Sequence, residues 1–538
     1  MQLSTRLLYS ASVFLAVIQG VHSEVFTSLA QLERVLESEY EVALHLRQYA
    51  SSERQRLEEL DRIAGELEQH SAEGTKDPEA FLGNPVNAFK LLKRFTVDWD
   101  DINSKFLKNN DNTQLDRVFN AADGFPEQED LLGAANALLR LQDTYALSAH
   151  DMARGQVPGA SLTANMTAGD CFELGRQAYN YEDYYHTLHW MQVALDLLNG
   201  EEKKNPTIDK AEVLDYMSFA TFQQGNIVHA TNLTLQWLEL GNRAQKNLKW
   251  YRDTMWEKEE ERRKERVATP YVEEFKNERK RDPWKLTSQF DDYERLCRGE
   301  ETKVGKLSNS HLIMLCNYVR PHPMFILVPA KEEVMFLDPF IAIYHNLMTD
   351  KEADMIKRIS KPKLHRSGVF TYSGGNQKPV QDYRTSKSAW IEDEEHPMIR
   401  RVSERTSALT DLSLDTVELF QVVNYGIGGH YEPHFDFARP NEIATFDPEV
   451  GNRIITVIFY VAAPEAGGAT VFPDLGVKLW PEKGSCAVWW NLMRNGEGDY
   501  RTKHAGCPTI TGSKWIANKW YHERGQEFRR SCLLDPSK

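Results

Sequence analysis

Past residue 23, no segment stays apolar for the roughly eighteen positions that a membrane-spanning helix needs, so no spanning helix is expected in the mature chain. Cysteine is scarce, six in 538 residues, and never spaced as Cys-x-x-Cys, which excludes a thiol oxidoreductase. Positive charge is in deficit. Lys and Arg number 64 against 79 Asp and Glu, and the net charge of −15 excludes the basic face that a phosphate backbone requires.

What is present reads as globular: 27% charged and 41% apolar residues, in a chain too long for one hydrophobic core. Two to four domains are expected. Met1 to Ser23 holds Arg6, an apolar stretch from Leu7 to Ile18 and then Val21-His22-Ser23, the layout of a secretory signal cut after Ser23. Sequons at Asn165-Met166-Thr167 and Asn232-Leu233-Thr234 agree with that route as glycosylation sites. An oxidising compartment favours local cysteine pairs. Cys297 with Cys316 and Cys507 with Cys532 each close a short loop, while Cys171, on a helical pattern, and Cys486, in a strand pattern, are expected as buried free thiols.

From Leu29 to Leu67 the spacing alternates by three and four through Leu32, Leu36, Ala43, Leu46, Ala50, Leu57, Leu60 and Ala64, with Glu39 and Glu53 interrupting. That is a heptad seam. It fits pairing with a second copy or a hairpin with a later helix. A second helical region runs from Gly169 to Glu261. Leu174-Gly175, the aromatic Tyr179 and Ala194 match one tetratricopeptide unit, and an insertion around Asn199 to Asp209 breaks the period. Tyr179, Tyr181, Tyr184, Tyr185 and Tyr216 crowd this region. By themselves they read as packing between helices. A groove of such rings would also suit a proline-rich peptide, which arrives ordered as a polyproline II helix. Trp256 to Glu300 is dense in charge and reads as a solvated helix running into a linker.

From Glu418 onward, short β-branched and aromatic runs dominate: Leu419–Tyr425, Tyr431–Phe437, Ile454–Ala462, Thr470–Phe472, Val477–Trp480, Cys486–Trp490, Thr509–Thr511 and Trp515–His522. Turn residues separate them, and eight short strands at this spacing predict a jelly roll. His434-Phe435-Asp436 falls in one run, where strand alternation sends the imidazole and the carboxylate to one face. His504 offers a second imidazole. Two imidazoles and one carboxylate leave adjacent positions open on a ferrous ion, as in the non-haem iron oxygenases. Lys514 stands at the start of the last run beside Trp515. A buried ammonium there demands an anionic partner, and the far carboxylate of 2-oxoglutarate would provide one.

The stretches Tyr425-Gly-Ile-Gly-Gly-His-Tyr-Glu-Pro-His434-Phe-Asp436-Phe, Gly467-Gly-Ala-Thr-Val-Phe-Pro473, His504-Ala-Gly-Cys-Pro and Lys514-Trp-Ile-Ala-Asn-Lys-Trp520-Tyr-His522-Glu-Arg-Gly-Gln closely resemble the α subunits of the collagen prolyl 4-hydroxylase family. The likeness extends along nearly the whole chain past the leader. It implies iron ligands at His434, Asp436 and His504, Lys514 on the 2-oxoglutarate tail, and Tyr425 and Thr470 touching that co-substrate. It implies a catalytic role for His522 near the 1-carboxylate, and Tyr431, Arg453 and Trp520 near the peptidyl proline. It turns the crowded tyrosines from packing into a peptide lining. The implied reaction is 4-hydroxylation of proline in X-Pro-Gly repeats of procollagen, coupled to decarboxylation of 2-oxoglutarate to succinate. Fe(II), 2-oxoglutarate and O2 are its cofactors, with L-ascorbate to rescue oxidised iron. The implied assembly is a tetramer of two α subunits with two protein disulfide isomerase chains, self-associating through the N-terminal helices. Residence in the endoplasmic reticulum lumen is expected to depend on that partner, since Asp535-Pro536-Ser537-Lys538 is no Lys-Asp-Glu-Leu-type retrieval tail.

The expected fold is therefore α+β and multidomain: coiled-coil and tetratricopeptide-like helical domains, then a double-stranded β-helix (jelly roll) catalytic domain. The expected divisions are a signal peptide at 1–23, a helical dimerisation region at 24–164, and the peptide-binding repeat region at 165–262. A charged linker carrying a disulfide at 263–325 and the dioxygenase at 326–538 complete the chain.

Overall fold

The computed structural model describes residues 29–107, 115, 125–162, 164–201, 206–241, 244–264, 273–303, 315–367, 384–440, 442, 447–533 and 535. The expected leader lies outside these residues. The chain divides into two units, one of residues 1–76 with 102–111, and one holding the rest.

In the first unit the heptad region is a single 46-residue helix, α1 (Leu29–Gly74). Residues 102–107 lie against its middle, where Arg56 donates to the carbonyl of Phe106 at 2.6 Å. Among the described residues, Leu60 and Leu67 of the seam are partly buried and its earlier leucines are exposed. Leu36, Leu46 and Leu57 are more than half exposed, at 67%, 63% and 53%.

The second unit opens with helices that include α2 (Pro85–Lys93) and α3 (Gln128–Thr144). Two hairpins follow, α4 (Ala168–Asn180) with α5 (Tyr184–Leu198), and α6 (Lys210–Gln223) with α7 (Ile227–Leu240); α8 (Gln245–Lys264) then packs on α7. Gly175 marks the first hairpin's close crossing. A Cβ there would stand 3.1 Å from Met191 Cε and 3.3 Å from Trp190 Cβ, so only hydrogen fits without displacement. Thr167 caps α4 through a reciprocal pair with Asp170. Both sequon asparagines are exposed.

The C-terminal part is a sandwich of two antiparallel sheets. Its strands are β1 (Leu315–Val319), β2 (Ala330–Leu337), β3 (Phe340–His345), β4 (His365–Arg366), β5 (Lys387–Ile391), β6 (Phe420–Tyr425), β7 (Tyr431–His434), β8 (Arg453–Ala462), β9 (Ala466–Gly467), β10 (Thr470–Phe472), β11 (Val477–Leu479), β12 (Cys486–Trp490), β13 (His504–Gly506), β14 (Thr509–Thr511) and β15 (Lys514–His522). The large sheet runs β1-β2-β3-β12-β8-β15-β6-β5-β4 and the small one β11-β10-β13-β7, while β9 and β14 pair separately. Ile343, Val423, Ile458, Phe472, Leu479 and Trp489 fill the space between the sheets, and two helices, α10 (Asp350–Ser360) and α11 (Pro397–Thr410), accompany the large sheet. All eight expected runs form strands. The large sheet also begins upstream of 326, because β1 pairs with β2 from Leu315. Strands β1 to β5 and the short β9 and β13 went unread.

The helical region grips the β-sandwich directly. Gly512 N donates to Gly83 O at 2.9 Å, Thr511 Oγ1 to Pro158 O at 2.9 Å, and Arg140 to Gly428 O at 3.0 Å. Tyr145 donates its hydroxyl to Pro508 O. These bonds anchor the loops on either side of β14 and the loop leading into β7. The charged stretch expected as solvated linker is in part structural. Helix α9 (Ser288–Cys297) buries Phe290, Tyr293 and Leu296 against Val471 of β10 and Ala505 of β13.

The cysteine pairing corrects the local expectation. Cys297 at the end of α9 bonds Cys507 just past β13, and Cys316 and Cys532 are exposed free thiols. The expected Cys297–Cys316 and Cys507–Cys532 bridges do not form. Loop length was the wrong criterion: packing of α9 on the small sheet brings Cys297 and Cys507 together, with Cα atoms 5.5 Å apart. Cys171 and Cys486 are buried and free, as expected.

Candidate iron and co-substrate site

His434 closes β7 and His504 opens β13, where the two are register partners across the antiparallel pair. Asp436 follows two residues after His434, beyond the end of the strand. The three side chains converge, with one ligand atom from each lying within 4.8 Å of the others. His434 Nε2 is 3.7 Å from Asp436 Oδ1, and His504 Nε2 is 3.6 Å from Asp436 Oδ2.

Each imidazole is oriented by its other nitrogen. Nδ1–H of His434 donates to Glu432 O at 2.7 Å and Nδ1–H of His504 to Thr502 O at 3.1 Å. Carbonyls only accept, so both Nε2 lone pairs point to the centre. Burial and the neighbouring His504 hold His434 neutral down to about 3. Burial opposes charge on Asp436, but His504, His434, Arg453 and the Trp520 N–H outweigh it and hold the carboxylate at about 2. Two imidazoles and an ionised carboxylate are the donor set ferrous iron takes, so the residues fit the metal.

Asp436 is also braced. Its Oδ2 accepts from Thr456 Oγ1 at 2.7 Å and from Trp520 Nε1 at 3.0 Å, and Asn491 Nδ2 donates to Thr456 Oγ1 at 2.8 Å. Oδ1 is left toward His434. Sequence reading missed Thr456 and Asn491, although a threonine inside the apolar run of β8 was the available signal. Thr456→Val, which keeps shape and removes the donor, is expected to lower iron affinity about ten- to a hundredfold. Metal titration of the apo-protein would check this, with the melting temperature as control.

Lys514 is buried opposite its register partner Tyr425, with Nζ 5.0 Å from the Tyr425 ring centre. Desolvation pulls its ammonium down to about 7, and an anion seated beside it would favour the charged form again. Thr470, buried in β10, accepts from the Tyr460 hydroxyl at 3.0 Å. These residues suit the co-substrate end of the site.

Tyr431 stacks on His434 at 3.5 Å between ring centres, with the Arg384 guanidinium 4.7 Å from the tyrosine ring. Arg453 lies 4.0 Å over Trp520 and pairs with Glu418, Nη2 to Oε2 at 2.9 Å. His522 joins that pair, its Nε2 3.0 Å from Glu418 Oε1, while Nδ1–H donates to Gly451 O at 2.6 Å. Of the expected substrate residues, Trp520 is thus shared with Asp436. Arg384 and Glu418 were not singled out from the sequence.

The five tyrosines separate. Tyr179, Tyr184 and Tyr216 join Phe219, with Tyr179 4.8 Å from Tyr216 and 5.6 Å from Phe219. Tyr181 is 53% exposed. Tyr185 packs on His186 and His189 in a different cavity of about 630 Å³, shared with Leu188, Met217 and Phe275.

A jelly roll carrying a two-histidine, one-carboxylate centre with a buried lysine beside it defines a 2-oxoglutarate- and Fe(II)-dependent dioxygenase. The comparisons agree, since residues 420–522 match the 2OG-Fe(II) oxygenase superfamily. Residues 28–159 match the prolyl 4-hydroxylase alpha-subunit N-terminal region and 168–257 the prolyl 4-hydroxylase peptide-substrate-binding domain. Human prolyl 4-hydroxylase subunit alpha-1 is 42% identical over 95% of this chain and 96% of its own length. Subunit alpha-2 of chicken (Gallus gallus) is 40% identical over 98% of each, and subunit alpha-2 of Caenorhabditis elegans is 40% identical over 98% of this chain and 96% of its own. This chain belongs to the prolyl 4-hydroxylase α-subunit family and is a prolyl hydroxylase of the dioxygenase class, using Fe(II), 2-oxoglutarate and O2.

Proposed function

We propose that the chain hydroxylates C4 of proline in the X-Pro-Gly repeats of procollagen, with ascorbate restoring oxidised iron. The observation that carries this is the pairing of the iron site with a repeat module whose aromatic rings cluster at Tyr179, Tyr184, Tyr216 and Phe219. Held by His434, Asp436 and His504, ferrous iron supplies the redox chemistry that couples decarboxylation of 2-oxoglutarate to hydroxylation. The chain does the rest. Lys514 neutralises the distal carboxylate, with Tyr425 and Thr470 beside it. Trp489 and Phe472 wall the back of His504, at ring distances of 4.6 and 5.6 Å, and exclude water. Tyr431, stacked on His434, and Trp520, under Arg453, form the corner that takes the peptidyl proline, and Glu418 holds Arg453 in place. His522, through the same Glu418, steadies this corner of the site.

Carbon dioxide released from labelled 2-oxoglutarate with a (Pro-Pro-Gly) peptide, together with hydroxyproline in that peptide, tests the reading. A non-catalytic collagen chaperone would release none. A lysine hydroxylase would leave this lysine-free peptide untouched.

The reading places the chain in the endoplasmic reticulum lumen, delivered by its leader, glycosylated at Asn165 and Asn232, and retained with protein disulfide isomerase in an α2β2 tetramer. The exposed leucines of α1 support α–α pairing, because at heptad spacing they gain burial from a second helix. Leu36→Glu with Leu46→Glu is expected to halve the assembly mass in light scattering while leaving turnover of short peptides unchanged. An unchanged mass would sink the seam.

A further inference from the structure

Residues 273–281, which form neither helix nor strand, are bound like a ligand along the repeat module. Asn226 takes the main chain of Lys276 from both sides, Nδ2 donating to Lys276 O at 2.6 Å and Lys276 N to Oδ1 at 2.7 Å. Gln224 does the same to Glu278, at 3.1 and 3.3 Å. The two amides sit two residues apart and read residues two apart in the opposite direction, so side chains imitate an antiparallel strand partner. At one end of the segment, the Glu273 carboxylate accepts from Val228 N and His229 N, both at 3.0 Å. Further on, Arg279 pairs with Asp143 of α3, and Arg281 reaches both oxygens of Glu294 at 3.0 and 3.1 Å. Glu294 lies on α9, whose Cys297 is bonded to Cys507, three residues past His504.

An unbroken chain of contacts therefore runs from the Gln224–Asn226 turn to the strand bearing an iron ligand. We propose that residues 273–281 are a rigid coupler, clamped by Gln224 and Asn226, that holds the repeat module at one distance from the iron site. Gln224 and Asn226 then act as positioning residues for long peptides. The inference rests on the repeat module binding the proline-rich chain, as proposed above. A peptide long enough to touch both sites gains from a fixed separation, because its second contact becomes intramolecular at high effective concentration; a short peptide gains nothing.

The test uses the full chain with Gln224→Ala/Asn226→Ser, and separately Lys276→Pro/Glu278→Pro, which removes the two clamped N–H groups without touching the module. Turnover of a short and a long (Pro-Pro-Gly) peptide is compared, with peptide affinity measured by calorimetry and strap release by trypsin cleavage after Lys280 or Arg281. Both variants are expected to free the strap and to cut the long-over-short ratio of kcat/KM by about tenfold. Short-peptide kcat and peptide affinity should stay as in the wild type. A freed strap with the ratio unchanged overturns the coupler while leaving the proposed function intact. Peptide affinity that survives Tyr179→Ala/Tyr216→Ala in the unaltered strap background overturns the module's role, and the coupler with it.

Discussion

Asp436→Ala abolishes turnover: hydroxylation falls by at least about a thousandfold, equivalent to about 4 kcal/mol of lost transition-state stabilisation. Three effects add. The metal loses its only anionic ligand in the converging set. The Trp520 indole and the Thr456 hydroxyl lose their shared acceptor in a buried place. The Trp520 ring is then no longer pinned through its Nε1. His434→Ala and His504→Ala remove an imidazole each and are expected to be as damaging. All three variants should keep peptide affinity at the repeat module, measured by calorimetry, because its rings belong to α4, α5 and α6. Loss of peptide binding in all three would show that the module and the iron site are one structure rather than two.

Lys514→Ala is expected to raise the 2-oxoglutarate requirement about ten- to a hundredfold with iron binding retained, the loss of a charge-assisted bond of roughly 1.5–3 kcal/mol. The pH dependence follows from burial. With its pKa pulled down to about 7, the lysine of the co-substrate-free site is charged below pH 7 and mostly neutral above it. The dianion binds the charged form, so binding above pH 7 draws a proton from solvent, and the apparent affinity weakens as pH rises through 7. Calorimetry at pH 8 in two buffers of different ionisation enthalpy, with Mn(II) as a non-turnover stand-in, would register that uptake. Lys514→Ala should abolish it. No uptake in the unaltered chain would remove Lys514 from the co-substrate.

How much of this was legible follows from the range of the physics involved. His434 and Asp436 announce themselves because strand alternation is a two-residue rule, and β8, β12 and β15 because buried strands need β-branched and aromatic residues. Strand β13 is three residues of His-Ala-Gly and carries no such pattern, so His504 was found as chemistry and not as structure. Strand β2 hides because Lys331, Glu332 and Glu333 load it with charge, whereas Phe340-Ile341-Ala342-Ile343-Tyr344 of β3 carries the apolar pattern and was passed over. The bracing of Asp436 by Thr456 and Asn491 was missed for another reason: Thr456 is 20 residues from Asp436 and Asn491 is 35 from Thr456, so their meeting depends on β12 pairing with β8.

The sequence by itself determined the periodic elements, the heptad helix and the His434–Asp436 pair, since each depends on neighbours within a turn or a strand; His504 and Lys514, far along the chain, were joined to that pair by their chemistry and family motifs. The tertiary structure decided what meets what: Cys297 with Cys507 rather than with its near neighbour, Tyr185 apart from Tyr179, the charged segment as a clamped strap. Such pairings arise where separately formed surfaces bury apolar area against each other, and that fit is a property of shapes which no local spacing encodes.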